Sequence, residues 1–281
     1  MAVDLSLRDA RVLSSVTVDA STTTFLVGTL LGWNGSAWVK ADADTPAYYA
    51  RWICMNSVEA GGSSTYTMPV CKEAVVVDLD APYTADDVLY LSATAGSHTA
   101  TRPVASAGST VLVQVIGQAL STSVAHFRLA PAREQMVQLV TTGSESAYAI
   151  LDSGDFGGVT LDANTERLTL VAVVPENAVS LVIGKLYLAA EATAGTPTMD
   201  ITVSSAIDGA QHDAVTADAT LTNAVREGAA ADEMQVTDIT LGFDATNIIR
   251  PGAIISVKCT QDDAGTDISF VFAGALYFKV V

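Results

Sequence analysis

Apolar and polar residues alternate with a period of two along most of this chain, or gather in short β-branched blocks. Both are strand patterns, because successive side chains of a strand point to opposite faces. The clearest stretch runs Val88-Leu89-Tyr90-Leu91-Ser92-Ala93-Thr94-Ala95-Gly96 and passes through a short polar segment. It resumes at Val111-Leu112-Val113-Gln114-Val115-Ile116-Gly117-Gln118-Ala119-Leu120-Ser121-Thr122. This predicts a strand, a turn region and a long strand. The first half further predicts strands over 12–18, 25–31, 37–40, 48–56, 64–68, 73–78 and 124–129, with the two above at 88–92 and 110–120. The second half predicts 147–151, 168–174, 180–189, 199–204, 235–241, 254–260 and 269–280. Only 130–138 and 223–233 are compatible with a short helix. No strict internal repeat occurs, which argues against a solenoid or propeller.

The links between these runs add detail. Asn34-Gly35-Ser36 separates two apolar runs, and Asn-Gly predicts a tight hairpin because both residues accept positive φ. Trp33 and Trp38 flank it and can stack across the hairpin. An aromatic pair beside a turn can also bind sugar, so both readings stand. Residues 130–147 read as a joint: Pro131 breaks the pattern, Arg133 and Glu134 add charge, and Thr141-Thr142-Gly143-Ser144-Glu145-Ser146 reads as a polar loop. A domain boundary is expected within 135–145, dividing the chain into 1–138 and 139–281. Ser205 to Ala231 is polar and alanine-rich, and reads as a long loop or a short helix. Gly184-Lys185-Leu186-Tyr187-Leu188 and Gly274-Ala275-Leu276-Tyr277-Phe278-Lys279 share an alternation that places them as neighbours, each with an aliphatic face and a Tyr face. The final strand is expected to tie the C-terminus into a sheet. The segment before Val12 is either an extended arm, with Arg8 and Arg11 its positive charges, or a frayed end.

The expected fold is all-β: an N-terminal small β-barrel or sandwich, then a C-terminal jelly-roll-like β-sandwich with Greek-key connections. Composition agrees. Hydrophobic residues are 49% of 281 and charged ones 16%, enough to bury a core. The net charge of −17, without any Lys/Arg cluster, argues against nucleic acid and against an anionic membrane surface. No apolar run approaches the ~18 residues of a membrane span, and the N-terminus has no apolar signal-peptide core, so synthesis and folding in a cytoplasm are expected.

Candidate chemistry is sparse. His98, His126 and His212 have no metal-ligand spacing. Neither a phosphate loop nor a nucleophile elbow occurs; Gly143-Ser144-Glu145-Ser146 lacks the second glycine. Asp78 and Asp80 share a strand face, and Asp152, Asp155, Asp162, Asp262, Asp263 and Asp267 sit among glycines. A glycosidase needs two carboxyls at fixed separation in a cleft that is usually aromatic-lined, so turn formation is the simpler reading of these acids. The loops 151–158 and 261–267 offer oxygen ligands, but neither has the calcium-loop spacing with its closing Glu. No catalytic residue, cofactor or metal site is assigned, and the chain is read as a non-enzyme. Cys54, Cys71 and Cys259 are odd in number and read as small buried hydrophobes; a bridge between Cys54 and Cys71 across neighbouring strands is left open.

The first half resembles the capsid-decoration and head-fibre proteins of tailed bacteriophages. The likeness is carried in order by Val27-Gly28-Thr29-Leu30-Leu31-Gly32-Trp33-Asn34-Gly35-Ser36-Ala37-Trp38-Val39-Lys40-Ala41, then 88–99, then 113–122. It covers about a third of the chain. The resemblance implies a structural virion protein on the capsid surface. It would bind the major capsid protein lattice as a symmetric oligomer, most simply a trimer, and stabilise the shell. The chain is about twice as long as the smallest such proteins, which leaves open a head-fibre, tail-fibre or adhesion role with host glycan as partner. An exposed platform at Trp33, Trp38 or Trp52 would favour adhesion.

Overall fold

The computed structural model describes residues 6–8, 10–77, 83–104, 111–144, 159–161, 166–190, 198–206, 219–225, 235–240, 251–261 and 269–281. Its strands are β1 (Ser6–Arg8), β2 (Ser14–Val18), β3 (Leu30–Trp33), β4 (Trp38–Lys40), β5 (Trp52–Cys54), β6 (Tyr66–Cys71), β7 (Glu73–Val77), β8 (Val88–Leu91), β9 (His98–Thr99), β10 (Val115–Ala119) and β11 (Val124–Arg128). They continue with β12 (Arg133–Ser144), β13 (Val159–Leu161), β14 (Arg167–Val173), β15 (Ala178–Ala190), β16 (Thr198–Ala206), β17 (Ala219–Val225), β18 (Gln235–Asp238), β19 (Ile254–Gln261) and β20 (Ser269–Val280). The helical element described in full is the 3₁₀ turn Pro46–Tyr48. The fold is all-β. Contacts divide it into two compact units, Met1–Arg133 with Val281, and Glu134–Val280.

In the first unit β2-β4-β3-β5-β6 close into a five-stranded barrel. Alternation along these short strands points Val16, Val18, Leu31, Cys54, Met68 and Val70 into one core with Phe25. Five strands enclose only a packed interior, so the barrel is filled by its own side chains. The second element is a six-stranded sheet, β1-β7-β11-β10-β8-β9. Its alternating residues Val76, Leu89, Leu91, Ile116, Ala125 and Phe127 are fully buried. The motif strands β8 and β10 pair antiparallel, Tyr90 opposite Val115. A bulge lies between Val115 and Gly117. A Cβ at Gly117 would run into the His126 carbonyl oxygen, so the strands approach closely there.

In the second unit every described pairing is antiparallel. One wall runs β13-β20-β15-β18 and the other β14-β19-β16-β17. Counted from β13 as first to β20 as eighth, the walls read 1-8-3-6 and 2-7-4-5. This interleaving is the double Greek key of a jelly roll. β12 lies between β14 and β20 and joins the walls along one seam. One core fills the space between them, with Leu168, Ile201 and Val257 from one side and Leu186, Leu276 and Phe278 from the other. β20 ends with Val280 opposite Ala178, which ties down the C-terminus as expected. The neighbours read from the sequence also pair: Gly184 stands opposite Leu276 and Leu186 opposite Gly274.

Several expectations are corrected. The Asn-Gly hairpin forms, with a loop one residue longer than Asn34-Gly35-Ser36 and a positive φ at Gly35 alone of the pair. Trp33 pairs with Trp38, so the loop has four residues, and Gly35 (φ +99°) takes the left-handed conformation while Asn34 does not. The Asn34 side chain closes the turn instead, accepting from the Ser36 and Ala37 N–H groups at 2.9 and 2.7 Å. The 25–31 strand is interrupted: Phe25 makes an isolated bridge to Val58, then a turn at Gly28 (φ +83°) precedes β3. The 48–56 strand shrinks to β5 because Pro46–Tyr48 coils into the 3₁₀ turn. Residues 130–147 hold neither a helix at 133–138 nor a loop at 141–144; β12 runs through both. Leu139 and Val137 face the core while Met136, Gln138 and Val140 face out, a period of two hidden among polar residues. Ser205–Ala231 contains β17, and within the segment before Val12 the residues Ser6–Arg8 form β1 and pair with β7. The 147–151 strand lies outside the described residues.

Candidate functional site

The residues singled out by sequence do not converge on one place. Trp33 and Trp38 stack across the hairpin with centroids 5.2 Å apart and planes tilted by 60°. Trp38 and Trp52 also pack against the barrel core, and the Lys72 ammonium covers the Trp52 ring at 5.0 Å. All three indoles are half-buried, so they cap the barrel and do not form an exposed platform. His126 meets Glu73 at 2.9 Å on the outer face of the six-stranded sheet. His98 hydrogen-bonds the Tyr83 hydroxyl and sits edge-on to Phe127, with centroids 4.9 Å apart. These are packing roles. His212, Asp78, Asp80, Asp152, Asp155, Asp162, Asp262, Asp263 and Asp267 lie outside the described residues, as do most of the two oxygen-rich loops. Ser144 falls within β12. Among the described residues no cluster of three or more His, Cys, Asp or Glu is placed to hold a metal, and no helix is long and apolar enough to cross a membrane.

Cys54, Cys71 and Cys259 are buried thiols. Cys54 stands opposite Val70, and Cys71 opposite Ile53, so the first two project to opposite faces of the β5–β6 pair. That geometry separates the two sulfurs and rules out the bridge left open by the sequence. Burial pushes the Cys54 thiol up, reinforced by Cys71; burial also pushes Cys71 up. Buried neutral thiols of this kind are poor nucleophiles. Two exposed carboxylates are turn formers. The Ser21 hydroxyl, then its N–H, holds Asp19 below the usual carboxylate range, and Thr240 does the same for Asp238.

One buried polar group was not visible as such in the sequence. The Gln114 amide bonds both backbone groups of Ala50: its Oε1 accepts from the Ala50 N–H at 2.8 Å, and its Nε2 donates to the Ala50 carbonyl at 2.9 Å. The side chain imitates a strand edge and joins the segment before β5 to the segment before β10. Its signal was only a lone Gln inside an apolar run.

What the fold does present is surface. The described strands β12 to β20 carry three carboxylates, Glu134, Asp200 and Asp238, against five cations, Arg133, Arg167, Lys185, Lys258 and Lys279. The chain as a whole is at −17. The described sandwich strands are therefore poor in carboxylates on an acidic protein. Broad β faces of this kind suit contact with another surface.

The chain is thus an all-β protein in which a barrel-and-sheet unit precedes a jelly roll. No family model matches it, and no curated protein does. Among solved structures it is similar to the CBM36-1 domain of a multidomain xylanase from the hindgut metagenome of Trinervitermes trinervoides. That match has 12% identity over 51% of this chain and 96% of that one, with a TM-score of 0.31. It is similar also to the structure of infectious bursal disease virus Gx strain, with 14% identity over 99% of this chain and 59% of that one and a TM-score of 0.34. A third is the T=1 particle derived from infectious bursal virus, at 15% identity over 98% and 56%, with a TM-score of 0.31. The chain spans under two thirds of the length of these two viral chains. Identities and TM-scores this low carry no function to the chain, and the jelly roll rests on its own strand order.

Proposed function

We propose that the chain is a non-enzymatic structural protein of a tailed-phage virion, bound to the capsid lattice as a symmetric oligomer that decorates or stabilises the shell. The observation that supports this most is the jelly roll whose described strands are poor in carboxylates, a module built to pack against surfaces. Fold does not set function by itself. The virion context comes from the decoration-protein resemblance of the first half, whose strands β8 and β10 are paired neighbours in one sheet. A cement protein works through many modest contacts repeated by symmetry, so avidity replaces single-site affinity. The expected oligomer is a trimer, assembled in the host cytoplasm and carried on the capsid surface. The alternative, adhesion to host carbohydrate through a tryptophan platform, loses support because Trp33, Trp38 and Trp52 are half-buried.

Co-sedimentation of the purified chain with empty capsid shells of its source virus tests the proposal. Saturable binding at a fixed ratio to the major capsid protein supports it. Failure to bind shells, together with retention on a glycan array, would replace it with the adhesion reading.

A further inference from the structure

The outward face of the β12-β14-β19-β16 wall carries an apolar patch that its neighbours do not cover. Val140 stands opposite Val171, and Val173 opposite Ile254. Val140, Val173 and Ile254 are 58%, 58% and 51% exposed. The same two rows continue through Ser256 to Ser204 and from Ile254 to Ala206. The patch is thus contiguous over four strands, β-branched at one end and hydroxyl-bearing at the other. The opposite wall differs: its exposed Val182 and Val236 lie far apart along β15 and β18, and Lys185, Tyr277 and Asp238 intervene.

We infer that this face is the self-association surface of the chain, and that its occupant is a second copy. Charge selects the face. Copies carrying −17 repel one another, and at physiological salt that repulsion is screened over about 8 Å. A contact between copies is therefore favoured where carboxylates are scarce. Among the described strands of this wall the charges are Arg133 and Glu134 at one end of β12, Arg167, Asp200 and Lys258, so carboxylates are outnumbered there. Size fits as well. The four strands, spaced about 4.8 Å apart and averaging about 30 Å in length, present roughly 500–600 Å² per copy. That is about 1,000–1,200 Å² across both copies, the low end for a specific interface. A contact of this size gains from closed symmetry, where each copy makes it repeatedly. The inference rests on the oligomeric reading above and adds the face that carries it.

The test is light scattering of the full chain after size exclusion, at micromolar concentration. Wild type should give a multiple of 29.1 kDa. Val140→Lys/Ile254→Lys, at exposed positions, should shift dissociation by about tenfold or more and elute near the single-chain mass. Should that variant fail to fold by circular dichroism, Ser256→Arg on the same face takes its place. Val236→Lys on the opposite wall should keep the wild-type mass. An oligomer indifferent to both face variants, or one dissociated only by Val236→Lys, overturns the assignment of the face and leaves the oligomeric reading standing. A wild type at the single-chain mass overturns both.

Discussion

Replacing Gln114 with alanine should be among the most damaging single changes in the first unit. Gln114 and Ala50 are each 1% exposed. The substitution strands the Ala50 N–H and carbonyl, which lose partners at 2.8 and 2.9 Å. A buried backbone group left unpaired costs about 1–3 kcal/mol, so the two together cost about 2–6 kcal/mol, before any void is counted. The chain supplies its own probe: its three tryptophans, Trp33, Trp38 and Trp52, all lie in the barrel of this unit. Tryptophan emission during urea unfolding therefore reports the first unit alone. The midpoint should fall with the slope unchanged, since slope tracks exposed surface. Gln114→Leu separates hydrogen bonding from packing, because it fills the space but still strands Ala50. It should lose a comparable amount. Stability within about 0.5 kcal/mol of wild type for Gln114→Leu would refute the reasoning and make Gln114 a space-filler.

Two further predictions concern the same unit. Gly117→Ala should destabilise it by at least about 2 kcal/mol, because the new methyl would meet the His126 carbonyl oxygen on the paired strand; an unchanged urea midpoint would show that the bulge adapts. The buried thiols should make the protein alkali-sensitive: with folded-state pKa values above the ordinary 9.0, Cys54 and Cys71 bind protons more tightly folded than unfolded. Their contribution is complete below the unfolded pKa and declines above it, by up to about 1.4 kcal/mol per pH unit per thiol. Cys54→Ala should flatten that decline above about pH 9 in denaturant titrations, and parallel slopes would remove the thiols as its cause.

The strands that lie in the sequence as clean alternations, β14, β16, β19 and β20, are those whose inward positions are nearly all apolar. Their burial is a local property of the pattern, so they were legible. β12 was not, because its inward Val137 and Leu139 are set among Arg, Glu, Gln and Thr, and the partners that hold it are remote in sequence. β17, with its run of Ala, Thr and Asn, lacks the β-branched apolar face that marks a strand and forms by pairing with β16. The Asn34-Gly35 signal marked the hairpin correctly, but the loop runs one residue past Ser36, because the Asn side chain closes a four-residue turn that dipeptide preference does not distinguish. Gln114 read as a polar interruption; only the fold places it beside Ala50. The apolar patch of Val140, Val173 and Ile254 was hidden because outward and inward valines look alike until register is known.

The account stands most directly on whether the chain occupies a capsid at symmetry-related positions. Electron cryomicroscopy of empty shells from its source virus, imaged before and after addition of the purified chain, answers this. Added density recurring at equivalent lattice sites, with the jelly roll resolvable as a β-sandwich, is the predicted result. Shells unchanged by a saturating excess of folded protein would contradict it.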